Sequence, residues 1–117
     1  MVDKILIVDD NKNDREVMKR ALEADNYKVF VAGDGAVALD LLETEEIGTI
    51  LLDIKMPTLS GYDLLRLLKR RVKNKIKIIY VSIIPQGEVD MKDADEFLQK
   101  PFSPENLLNI VKEVIDK

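Results

Sequence analysis

The 117-residue chain contains no cysteine, no histidine and no tryptophan. Without cysteine neither a disulfide framework nor a thiolate metal site can form, and a reducing compartment is compatible with the composition. Without histidine there is no Ser-His-Asp triad, no imidazole-ligated zinc and no phosphodonor histidine, which leaves oxygen ligands for any metal. Aromatics are only 5% of residues, so the expected core is aliphatic. Long apolar runs are missing too. None approaches membrane-spanning length, and Met1-Val2-Asp3-Lys4 lacks signal-peptide architecture, from which a soluble cytoplasmic protein with no membrane partner is expected. A formal net charge of -4 supplies no basic field for a nucleic-acid backbone, so direct nucleic-acid binding is not expected.

What is present is an alternation. Short β-rich runs at Lys4 to Val8, Tyr27 to Ala32, Thr49 to Leu52, Lys77 to Ser82 and Glu96 to Gln99 are separated by helical patterns, the sequence form of a parallel sheet with crossover helices. The length fits one domain, residues 1–117, with no repeat or linker. The first helix is expected from about Asp14 to Ala24, with Val17, Ala21 and Ala24 near one stripe, Met18 and Leu22 beside it, and Asn11 or Asn13 as cap. The second follows an Asp34 cap and buries Val37, Ala38, Leu41 and Leu42. The third opens on Ser60 with Asp63 three residues on, and carries Leu64, Leu65, Leu67 and Leu68 inward. The last opens on Ser103-Pro104-Glu105 with Leu107, Leu108, Val111 and Ile115 as its apolar face. Between Ser82 and Glu96 only Glu88 to Asp93 remains for a turn of helix. The run Lys69 to Lys77 holds six basic residues in nine and reads as a solvated helix end, since cations there offset the helix dipole.

The chemistry sits at strand ends. Asp53 closes the run Ile50, Leu51, Leu52 and precedes Met56, Pro57 and Gly61; Asp9 and Asp10 follow Ile5 to Val8; Ser82 and Lys100 end two later strands. Ligands of open parallel sheets bind outside the carboxyl ends of the strands, so Asp9, Asp10 and Asp53 converge if the first and third strands are neighbours. Clustered carboxylates repel one another, and a hard cation such as Mg²⁺ relieves this. A carboxylate beside such a cation and an ammonium is a nucleophile suited to phosphorus, because phosphoryl transfer requires chiefly in-line positioning and charge neutralisation.

Asp9-Asp10, Asp53 with Met56-Pro57 and Gly61, Ser82, and Lys100-Pro101-Phe102 together resemble, over the whole chain, the receiver domain of two-component response regulators. The resemblance implies a flavodoxin-like, doubly wound five-stranded parallel sheet of order 2-1-3-4-5. It implies that Asp53 accepts a phosphoryl group from a histidine kinase or phosphotransfer protein, with Mg²⁺ held by Asp9, Asp10, Asp53 and the backbone carbonyl of Lys55. Ser82 then hydrogen-bonds the phosphoryl group, Lys100 pairs with it, with a cis bond to Pro101 as one expectation, and Phe97 takes the aromatic switch position. On the same resemblance the protein is expected to be a switch acting on an unidentified output protein or domain, and not an enzyme beyond gain and loss of its own phosphate. Three features depart from the family pattern: bulky Ile83 after Ser82, expected to slow loss of phosphate; Lys55, whose ammonium either flanks the phosphoryl group or points to solvent; and a fourth helix that is shortened or missing. They leave a pseudo-receiver, an interaction module with altered or absent switching, as the alternative. A phosphohydrolase wants an acid where Lys55 stands, and flavin binding wants a phosphate loop after the first strand.

Overall fold

The computed structural model describes residues 2–71 and 75–117. Strands β1 (Lys4–Val8), β2 (Lys28–Ala32), β3 (Thr49–Leu52), β4 (Lys77–Ser82) and β5 (Glu96–Gln99) form one sheet in the order β2-β1-β3-β4-β5. All four pairings are parallel, so each strand is reached by a crossover connection rather than a hairpin. The helices are α1 (Lys12–Ala24), α2 (Gly35–Thr44), α3 (Gly61–Arg71) and α4 (Pro104–Asp116). This is the expected doubly wound sheet, with β1 and β3 adjacent.

Alternation along each strand feeds two cores, one on each face. Ile5, Ile7, Leu51, Ile79, Val81 and Leu98 pack under α1 and α4, whereas Leu6, Val8, Ile50, Leu52, Tyr80 and Phe97 pack under α2 and α3. Because both faces are covered, the central strands read as continuous apolar runs.

Several local expectations shift. β2 begins one residue later than expected, since the N–H of Tyr27 turns back to the Leu22 carbonyl. α1 begins two residues earlier, because the Asn11 side chain accepts the N–H of Asp14 at 3.0 Å and so caps the helix at residue 11. Its buried residues are Met18 and Leu22, while Val17 and Ala24, expected in the stripe, are exposed. In α2, capped by Asp34 as expected, Ala38 is buried but Val37 faces solvent. Along α3 Leu64, Leu65 and Leu68 are buried and Leu67 only half-buried. On α4 the sequence reading omitted Val114, which is fully buried between Val111 and the C-terminus. Each error is a small rotation of the helix about its axis, set by which neighbour the helix meets rather than by period.

The segment between β4 and β5 departs most. It makes one 3-10 turn, Gln86–Glu88, two residues before the expected helical turn, and contains no α-helix. Its aspartates explain this, because short acidic side chains that bond nearby backbone groups compete with helix formation. Asp90 accepts the Lys92 N–H at 3.0 Å, and its own N–H donates to the Tyr62 hydroxyl at 3.0 Å. Asp93 takes the Lys69 ammonium at 2.7 Å, and Asp95 accepts the Ile78 N–H at 2.7 Å. The segment is thus a strap laid over Tyr80, whose ring meets Tyr62 edge-on with centroids 5.5 Å apart. Part of the basic run lies at residues 72–74, outside the described residues. Of its described members, Lys69 holds the strap and Lys77 donates to carbonyls at the end of α4, including Lys117 at 2.9 Å.

Candidate functional site

Adjacency of β1 and β3 places the residues that follow them side by side. The Asp53 N–H donates to the Val8 carbonyl at 2.9 Å and the Asp9 N–H to the Ala32 carbonyl at 3.1 Å, so both aspartates continue the sheet ladder by one step. Their carboxylates, with that of Asp10, have oxygens within 4.8 Å of one another. Asp9 and Asp53 are buried and Asp10 is exposed, which leaves the cluster one wet side. Three carboxylate donors around one point, with access for water, fit a hard divalent cation.

Lys100 closes the site from β5. Its N–H donates to the Ser82 carbonyl at 2.8 Å, and the Lys100–Pro101 bond is cis. Its ammonium lies 2.8 Å from Asp9 Oδ2 and 3.8 Å from Asp53 Oδ2. Burial works against that charge, but hydrogen bonds to Asp14 and Asp9 and the charges of Asp9 and Asp53 push its pKa up to about 12. Asp53 moves upward as well. Burial and then the charge of Asp9 raise it to about 7, against the pull of Lys100 and of the Lys55 N–H. Without a cation, two buried carboxylates and one ammonium do not balance.

Ser82 is fully buried, and its hydroxyl accepts the Ile84 N–H at 3.2 Å, which leaves its own proton free for another acceptor. Lys55 donates its N–H to Asp53 Oδ1 at 3.3 Å, so its main chain stands at the cluster while its side chain is exposed. Phe97 pairs with Tyr80 across β4 and β5 and is buried in the core. Ile83, next to Ser82 in the chain, is 61% exposed.

The β3–α3 turn is held by contact. The Gly61 N–H donates to the Ile54 carbonyl at 2.8 Å, and a Cβ on Gly61 would lie 2.3 Å from the carbonyl oxygen of Asp53.

Two residues at this end were not singled out from sequence. Asp14 accepts the Lys100 ammonium at 2.8 Å. Arg15 donates to the Asp9 carbonyl at 2.8 Å, its guanidinium lying where a Cβ on Gly33 would come within 3.2 Å. An acid in the first turn of a helix is common for dipole reasons alone, so Asp14 carried no signal of its own.

The sequence model of the response regulator receiver domain matches residues 5–112. The chain belongs to that family. It is 32% identical to the transcriptional regulatory protein CpxR of Escherichia coli over 120 residues, covering 97% of this chain and 50% of that protein. The chain thus spans about half the length of the curated relatives it matches. A response regulator receiver domain from Bermanella marisrubri superposes with a TM-score of 0.89 at 32% identity, covering 98% of this chain and 99% of that one. The response regulator TrrA of Thermotoga maritima, solved in complex with Mg²⁺-BeF, gives 0.86 at 30% identity, covering 97% and 99%. Receiver domains are phosphorylation-controlled signalling switches that meet histidine kinases or phosphotransfer proteins. Among the described residues no helix is long and apolar enough to cross a membrane.

Proposed function

We propose that this receiver, a single domain over residues 1–117, is a cytoplasmic switch phosphorylated on Asp53. The carrying observation is the convergence of Asp9, Asp10 and Asp53 with the Lys100 ammonium 3.8 Å from Asp53. Asp9, Asp10, Asp53 and the Lys55 carbonyl hold Mg²⁺, and the oxygen-only donor set and the TrrA complex support that choice of ion. Bound there, the cation neutralises charge on the cluster and on the incoming phosphoryl oxygens. An Asp53 oxygen attacks phosphorus; the O–P bond forms as the P–N bond of the donor phosphohistidine breaks, and the leaving imidazole takes up a proton. Lys100 and the free Ser82 proton then bind phosphoryl oxygens, contacts that the unphosphorylated state lacks, and so bias a two-state equilibrium that Phe97 reports through packing. The only reactions catalysed are gain and loss of the protein's own phosphate. The phosphorylated form acts on a partner or output domain, and the 83–95 strap replaces a helix on the face that reads it.

The test is incubation with Mg²⁺ and a small phosphodonor or a histidine kinase, followed by mass spectrometry. A base-labile adduct of one phosphoryl group is expected, absent in Asp53→Ala. No adduct from either donor overturns this reading in favour of the pseudo-receiver. Decay of the adduct checks the role of Ile83: Ile83→Ala is expected to shorten its lifetime about threefold by admitting water, an effect on the order of 0.7 kcal/mol. An unchanged lifetime rules out steric shielding.

A further inference from the structure

We infer that Asp14 is a positioning residue for phosphoryl transfer, fixing the Lys100 ammonium from α1 so that its remaining N–H points at Asp53; this rests on the phosphoacceptor reading. An ammonium has three donors in tetrahedral array. Two are committed, to Asp9 Oδ2 and Asp14 Oδ2, both at 2.8 Å. The third has Asp53 Oδ2 at 3.8 Å, too far for a hydrogen bond to the carboxylate itself. A phosphoryl group added to Asp53 would bring an acceptor oxygen nearer to that ammonium.

The two anchors are not equivalent. Asp9 belongs to the carboxylate cluster, so its oxygens are shared with whatever cation that cluster holds. Asp14 is outside the cluster, and its hold on Lys100 is independent of metal. Both ends of the Asp14–Lys100 pair are fixed through the backbone. The Asp14 N–H donates to the Asn11 side chain at 3.0 Å, and the Lys100 N–H to the Ser82 carbonyl at 2.8 Å. The Lys100 side chain is 11% exposed, which limits the alternatives open to the ammonium if Asp14 is removed. Asp14 is 38% exposed and touches no reacting atom, so its effect runs through Lys100.

Asp14→Ala and Asp14→Asn separate this role from a merely structural one. Both remove the charge that favours the start of α1, so both are expected to lower the melting temperature slightly and alike. Only asparagine keeps an oxygen at the right reach. Phosphorylation by a small phosphodonor with Mg²⁺ is expected to slow about tenfold in Asp14→Ala and to recover to within about threefold of wild type in Asp14→Asn. The second readout is the ¹H–¹⁵N signal of the Lys100 ammonium. It is expected to remain protected on addition of Mg²⁺ in wild type and to be lost to exchange in Asp14→Ala. An alanine variant as fast as wild type, or with an equally protected ammonium, overturns the proposal. If wild type acquires no phosphate, the phosphoacceptor reading has failed, and the ammonium signal still decides whether Asp14 anchors Lys100.

Discussion

Gly61→Ala is expected to destabilise the protein by about 3 kcal/mol, to lower its melting temperature by about 10 °C, and to slow phosphorylation of what remains folded. Gly61 carries no catalytic group. It is the first residue of α3, and its bare Cα sits against the peptide that follows Asp53. A methyl there would stand 2.3 Å from the Asp53 carbonyl oxygen and 2.8 Å from Ile54 Cα. Both atoms are backbone, so no side chain can rotate away, and the turn itself must open. Opening it lengthens the 2.8 Å bond from Gly61 to the Ile54 carbonyl and displaces the peptide that aims the Asp53 carboxylate. A shift of a few tenths of an ångström between nucleophile and ammonium costs about tenfold in rate where reaction depends on alignment. Thermal denaturation and phosphorylation kinetics measured on the same preparation check both effects. Wild-type stability in Gly61→Ala contradicts the close approach; lost stability with an unchanged rate contradicts its link to Asp53.

The same glycine shows what was legible in the sequence. Its place after Asp53, Met56 and Pro57 marked a turn, but not that the turn folds back onto Asp53, because that contact depends on how α3 seats on the sheet. Strand existence, and every bound but the start of β2, was legible because a parallel sheet buried on both faces leaves continuous apolar runs, as in Ile5 to Val8 and Ile50 to Leu52. Helix facing was less so. Val17 and Ala24 satisfy the period of α1 as well as Met18 does, and only the way α1 seats on β1, β2 and α4 decides between them. The convergence of Asp9, Asp10 and Asp53 was deducible once β1 and β3 were taken as neighbours. Asp14 was not: its partner lies 86 residues away in the chain, and the helix dipole alone accounts for an acid in a first turn. The strap was visible as a shortfall of residues, but its aspartates fix its path through bonds to Lys69, Tyr62 and Ile78 that no local pattern contains.

Asp53→Asn is expected to stabilise the metal-free protein, by an amount that depends on pH with a definite sign. Burial and the charge of Asp9 raise the Asp53 pKa from 3.8 to about 7. Below about pH 4 the group is protonated in folded and unfolded chains alike, and its titration costs nothing. Between pH 4 and 7 the unfolded chain releases the proton while the folded one retains it, so stability falls as pH rises; above pH 7 the folded chain ionises too and the full penalty persists. Asparagine removes the ionisation and keeps an acceptor for the Lys55 N–H. The gain should therefore be near zero at pH 4 and reach about 2–4 kcal/mol above pH 7, a rise in melting temperature of about 5–15 °C. Mg²⁺ should reverse the ranking, because a cation that binds the folded cluster stabilises wild type by mass action and binds the asparagine variant less well. Melting curves from pH 4 to 8, with and without Mg²⁺, test this. A gain independent of pH assigns the effect to packing, and a gain undiminished by Mg²⁺ removes Asp53 from the metal site. Confirmation of both trends joins the two halves of the chemistry: the charge that makes Asp53 a costly residue without metal is the charge that a metal and a phosphoryl donor use.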